Sequence, residues 1–189
     1  IRYYRSGSLY ISLGFLFSSQ NHTRLKSRVR NISYLIRKRI QPHGTRLHKG
    51  SLAIPLVNEA NEFVNLQFIH ADGNKRFLSG GRKKGCYSTI GVPTETILMC
   101  EGWATGASLH ESTGHYVIVA MDAGNMKPVA EAIRSLYPNE QIIICADHDP
   151  IGIENATIAA FACNGLYIAP PNAGQDFNDY INAGGKVYG

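Results

Sequence analysis

The sequence predicts an α/β fold in two parts, a small parallel sheet with helices on both faces over residues 97–189 and a basic α+β part over residues 1–96. Three observations predict it. Beyond Thr96, short apolar runs alternate with helical patterns at regular intervals, the succession that builds parallel sheets. Among them "IIICA", residues 142–146, is apolar at every position, so it reads as a strand covered on both faces rather than a half-exposed hairpin strand. The charge is also divided: residues 1–96 carry sixteen Lys and Arg against four Asp and Glu, a net of +12, while residues 97–189 carry three against ten, a net of −7.

Composition sets the outer bounds. With 44% hydrophobic and 17% charged residues the chain is ordinary globular material, which excludes disorder. Cys86, Cys100, Cys145 and Cys163 are scattered without a C-x-x-C pair, so they read as reduced, buried thiols of a cytoplasmic protein. Arg2 and Arg5 ahead of "LYISLGFLF" imitate a signal peptide, but no small-x-small cleavage site follows and the run is too short to span a bilayer. No membrane partner is expected. A start at Ile1 reads as a fragment or an unusual translation product.

In the first part, "TRLKSRVRNISYLIRKRI" is a basic helical stretch whose Leu25, Val29 and Ile32 suit a core-facing stripe. The segment "LAIPLVNEANEFVNLQFIHADGNKRFLSGG" reads as antiparallel strands with one turn at 58–61 and a second marked by Asp72-Gly73. Lys75, Arg76, Arg82, Lys83 and Lys84 crowd the end of this meander, with Phe68, Phe77 and Tyr87 interleaved; for each ring a core position is the favoured reading over base stacking.

In the second part, "ILMCEG" is a strand ending at Glu101 and "WATGASLHEST" a helix stopped by Gly114. "YVIVAMDAG" is a strand, and "MKPVAEAIRSLYP" a helix with Val129, Ile133 and Leu136 on one buried face. "QIIICADHD" is a strand, "IENATIAAFACNG" a helix with Gly165 at its end, and "LYIAP" the fourth strand.

Ligands of such sheets gather beyond the carboxyl ends of the strands, where this reading puts Glu101, Asp122, Asp147 and Asp149. Any one of them alone is equally well a loop carboxylate or a helix N-cap; four at corresponding strand ends point to cation chemistry. Asp147 and Asp149 are two apart, so on an extended backbone they leave the same face and converge on divalent metal. His148 between them points away, toward packing or a backbone hydrogen bond. His43, His48 and His70 lack zinc-site spacing, and Gly80 and Gly81 read as turn glycines.

The pair "EG" ending a first strand, "ADHD" after a later one and the downstream "GQDFNDY" resemble, over residues 97–180, the Toprim domain shared by topoisomerases, bacterial-type primases and some nucleases. "LAIPLVNEANEFVNLQFI" followed by "GNKRFLSGGRKKGCYSTIG" is similar to the basic subdomain that precedes Toprim in primases, closest to those of plasmids, integrative elements and phages. The resemblance implies a Rossmann-like Toprim sheet, and an activity that makes short RNA primers on single-stranded DNA from nucleoside triphosphates. It implies Glu101, Asp147 and Asp149 as catalytic acids, and these with Asp176 as ligands of Mg²⁺ or Mn²⁺, with no zinc in this chain. Lys75 and Arg76, with Arg82, Lys83, Lys84 and Lys127, are implied to hold nucleotide or template; for Lys127 an exposed helix lysine is the favoured reading. A replicative helicase and a separate zinc-binding module are the implied protein partners. Residues 1–30 do not match the family closely. The alternatives are a Toprim-type metal-dependent nuclease and a catalytically silent DNA-binding module derived from a primase.

Overall fold

The computed structural model describes Val29 and residues 32–187; the signal-like stretch and Leu25 lie outside the described residues. A short helix α1 (Ser33–Lys38) opens the fold; Val29 and Ile32 are buried, but Ile32 is extended (ψ 126°), which interrupts the expected basic helical stretch. Four strands follow, β1 (Arg46–His48), β2 (Ser51–Val57), β3 (Phe63–Ile69) and β4 (Lys75–Phe77), forming an antiparallel sheet in that order. The expected turn at 58–61 is built by Asn58, whose side-chain oxygen accepts from the backbone N–H groups of Ala60 and Glu62. In the next turn Asp72 accepts from the N–H of Asn74 while Gly73 takes φ +98°. Sequence reasoning missed β1, which pairs with β2 through a two-residue turn in which Lys49 and Gly50 both have positive φ. Pro55 is tolerated within β2 because β1 pairs only with residues 51–53, leaving the proline's nitrogen side without a neighbouring strand.

The second sheet has five strands in the order β5-β7-β6-β8-β9: β5 (Ser88–Ile90), β6 (Thr96–Cys100), β7 (Tyr116–Val119), β8 (Gln141–Cys145) and β9 (Leu166–Ile168). All neighbours are parallel except β5, an antiparallel edge strand that precedes the boundary expected at residue 97. Helix α2 (Trp103–Thr113) packs on one face with α5 (Phe177–Asn182), and α3 (Met126–Leu136) and α4 (Pro150–Ala162) pack on the other. Gly114 ends α2 in the left-handed conformation, as its sequence position suggests. Ile142 and Ile144 of β8 are fully buried, and the strand lies between β6 and β9 under helices on both sides.

Two details differ from expectation. Leu136 is 43% exposed, because α3 buries only Val129, Ala130, Ile133 and Met126 and its last turn has left the sheet. At the end of α4 the left-handed residue is Asn164 (φ 48°), not Gly165; glycine is needed at 165 because a Cβ there would stand 2.6 Å from the Ile142 carbonyl oxygen.

The two sheets share one core. Leu52, Ile54, Leu56 and Ile69 of the first cluster with Leu98, Trp103, Val117 and Leu109 of the second. Val57 and Tyr87 exchange backbone hydrogen bonds of 2.8 and 3.0 Å across the junction. Buried Gln67 donates from its amide nitrogen to the Met121 carbonyl at 3.2 Å. All four cysteines are buried and unpaired, and burial raises their thiol pKa values, so they are inert packing residues.

Candidate active site

Glu101 follows β6, Asp122 follows β7, and Asp147 and Asp149 follow β8, so all four emerge at the carboxyl edge of the parallel strands. Asp176 approaches as the N-cap of α5. Electrostatics show how closely they face one another. Burial, then the charges of Asp176, Glu101 and Asp149, push Asp147 up to about 6, with Lys75 opposing. Glu101 is also raised, by burial first; Lys75 pulls it down while Asp122 and Asp149 push it up.

The capping reading holds for three of these acids. Asp149 accepts from the Gly152 N–H at 2.8 Å and caps α4, Asp176 accepts from the Asp179 N–H at 2.7 Å and caps α5, and Asp122 accepts from the Gly124 N–H at 3.1 Å. Asp147 has no such duty, and its Oδ1 is buried without a partner. A carboxylate with repelling neighbours and an unsatisfied buried oxygen is suited to a divalent cation. Among the described residues no three His, Cys, Asp or Glu side chains form a ready-made ligand set.

The pairing of Asp147 and Asp149 has a different origin from the expected strand alternation. β8 ends at Cys145, and the Asp149 N–H bonds back to the Asp147 carbonyl at 2.9 Å, so a tight turn rather than an extended strand separates the two acids. Gly152 permits this turn, since a Cβ there would lie 2.4 Å from the Asp147 carbonyl oxygen. His148 faces away and its Nδ1 contacts the Pro170 carbonyl at 2.7 Å, as expected.

The predicted basic residues divide. Lys75 on β4 reaches the site: its Nζ stands 3.8 Å from where a Gly102 Cβ would be, and its charge acts on both Glu101 and Asp147. Lys83 bonds Asp122 at 3.1 Å. Arg76 points to the other side of β4, over the Phe68 ring at 5.5 Å. Arg82 pairs with Glu59 at 3.1 Å and, with Lys84, lines a separate groove of about 600 Å³ against α3. Lys127 lies on the surface of α3 beside Glu131 at 3.8 Å. Phe68 and Tyr87 are buried, in keeping with core roles.

Sequence reasoning passed over several positioning residues. Buried Asn125 accepts from the Gly85 N–H and donates to the Cys86 and Ala120 carbonyls at 2.8 Å each, tying the basic loop to the end of β7. Its only sequence signal is its place in "DAGN". Lys38 on α1 stands 3.7 Å from Asp176, and Asn178 holds the Lys38 carbonyl at 2.8 Å, which fixes α1 to the third acidic motif.

Residues 96–187 match the family described as Toprim domain. Two Escherichia coli proteins named DNA primase TraC are 31% identical over 123 residues and 32% identical over 131 residues, covering 58% and 62% of this chain. The chain spans only 12% and 9% of their lengths. Among solved structures, the DnaG catalytic core matches 95% of this chain and 76% of its own, with a TM-score of 0.63 at 14% identity. The primase fragment of the bacteriophage T7 primase-helicase matches 82% and 71%, with a TM-score of 0.62 at 18% identity. T7 primase domains bound to an RNA/DNA hybrid, in a complex with the lagging-strand DNA polymerase and dTTP, match 83% of this chain with a TM-score of 0.56 at 17% identity. No helix among the described residues is long and apolar enough to cross a membrane. Residues 96–187 thus carry a Toprim domain, and the chain is related in sequence to the TraC primases and similar in fold to the DnaG and T7 primase cores.

Proposed function

We propose that the chain is the catalytic core of a DNA primase, joining ribonucleotides into short primers on single-stranded DNA in replication of a mobile element. The observation that carries it is Asp147, an acid with an unsatisfied buried oxygen among carboxylates at the carboxyl edge of a Toprim sheet, faced by Lys75 from a basic sheet. In this reading residues 97–189 hold the acids and residues 1–96 supply the polyanion-binding surface. Glu101, Asp147, Asp149 and Asp176 would hold Mg²⁺ or Mn²⁺, which when bound would lower the pKa of the attacking hydroxyl and neutralise phosphate charge.

The remaining tasks belong to the protein's own groups. Lys75, beside Glu101, lies where the triphosphate of an incoming nucleotide would meet the acids, and Lys83 stands at the neighbouring strand end. Arg76, Arg82, Lys84 and Lys127 face other directions, and their part in this reading is phosphate contact along the template. A zinc-binding module and a helicase are the proposed protein partners.

End-labelled single-stranded DNA incubated with Mn²⁺, with and without α-labelled ribonucleoside triphosphates, separates this reading from a nuclease. New alkali-labile products that require ribonucleoside triphosphates, with the DNA intact, are expected; cleaved DNA in their absence would replace it with the hydrolytic reading.

A further inference from the structure

Asp122 is the one strand-end acid that the family resemblance leaves without a role. Its backbone is held firmly: the preceding Met121 is buried and takes φ +70°, and the Met121 N–H bonds the Glu101 carbonyl at 2.8 Å. A non-glycine residue in that conformation is costly and persists only where its surroundings fix it. Here the Gln67 amide holds the Met121 carbonyl from the other sheet. The side chain is divided between two tasks. Oδ1 accepts from the Gly124 N–H, and Oδ2 accepts from the Lys83 ammonium at 3.1 Å. Lys83 also lies 5.4 Å from the centre of the Phe77 ring. Asn125 fixes the backbone of the same loop at Gly85 and Cys86.

We infer that Asp122 is a positioning residue that holds Lys83 at the carboxyl edge of the sheet, where the ammonium meets the phosphates of an incoming nucleotide. An ammonium has three donors, so Lys83 can keep Asp122 while contacting a phosphate oxygen. The arrangement explains why two of the predicted cations reach the acids while their neighbours turn away. Lys75 crosses from β4 to the end of β6, and Lys83 from the loop between β4 and β5 to the end of β7. The role given to Lys83 rests on the primase reading above.

Asp122→Asn tests the inference selectively, because the amide oxygen keeps the Gly124 cap while the charge is lost. With single-stranded template and Mn²⁺, Asp122→Asn and Lys83→Met should each raise KM for ribonucleoside triphosphate by roughly fivefold, the upper range for a half-exposed ion pair, with kcat nearly unchanged. The double variant should be no worse than Lys83→Met alone. Tryptic cleavage after Lys83 should be faster in Asp122→Asn than in the unchanged chain, a readout that needs no activity. An unchanged KM, additive effects, or a loss confined to kcat would overturn the inference. If the unchanged chain makes no primers, the cleavage rates alone decide whether Asp122 holds Lys83, and equal rates would overturn that too; the primase reading fails separately.

Discussion

Asp147 concentrates the conflict between folding and function in one carboxyl group. Its pKa in the folded chain is raised from the usual 3.8 to about 6, chiefly by burial. The folded state therefore favours the protonated form: the stability this gives is fully present below 3.8 and is lost as pH rises through about 6. Asp147→Asn removes a half-buried charge whose Oδ1 has no hydrogen-bond partner and which Lys75 only partly offsets. The variant should melt at a higher temperature than the unchanged chain at pH 7.5 without divalent cation, and the gap should close toward pH 4. Adding Mg²⁺ or Mn²⁺ should raise the melting temperature of the unchanged chain and leave the variant's almost unmoved. A gap independent of pH, or equal response to cation, would contradict this. The acids themselves were legible from strand-end position and order. The sorting of the cations was not, because the side of β4 that each lysine or arginine takes depends on how two sheets dock, which local sequence does not encode.

Among the elements, the turn between β8 and α4 is the most demanding. It must end a buried strand, place two carboxylates together and start a helix within the five residues 146–150. Asp149 serves as N-cap and Pro150 occupies the first helical turn, a local pairing that favours initiation there. Gly152→Ala would press a Cβ against the Asp147 carbonyl, 2.4 Å away, and should cost about 1–3 kcal/mol in chemical denaturation, the usual range for overpacking, with activity falling as Asp147 shifts. Asp149→Asn keeps a capping oxygen and should change stability by less than about 0.5 kcal/mol while losing primer synthesis. Equal stability losses in the two variants would show that the turn needs the Asp149 charge for folding. Strand and helix positions in this half followed from apolar runs and their punctuation. The glycines at 152 and 165 escaped correct reading because their need is close approach to another backbone, a long-range contact, rather than a positive φ. The short strands β1 and β5 carry too few residues to show a period.

Across the whole molecule, a basic sheet and an acid-bearing sheet share a core, so the charge asymmetry of the sequence becomes two adjoining surfaces that meet where Lys75 and Lys83 face the acids. This predicts that affinity for oligo-dT falls linearly on a log–log plot against salt, with a slope of about −0.7 for each phosphate neutralised. Arg76→Met and Lys84→Met should each lower that slope, whereas Asp147→Ala should leave it intact, as titrations by fluorescence anisotropy would show. The two-part α/β architecture was legible because composition and periodicity change together near residue 96; the shared core was not, since the pairing of Val57 with Tyr87 and the packing of Leu52 and Ile69 on Trp103 and Leu109 join distant segments. The most direct measurement is incorporation of labelled ribonucleotides on mixed single-stranded DNA templates with Mg²⁺ or Mn²⁺, comparing the unchanged chain with Asp147→Ala. Short RNA products from the former and none from the latter are predicted. Equal synthesis by the two, or none by either with DNA binding and fold intact, would contradict the claim that this acid edge is a self-sufficient site of nucleotidyl transfer.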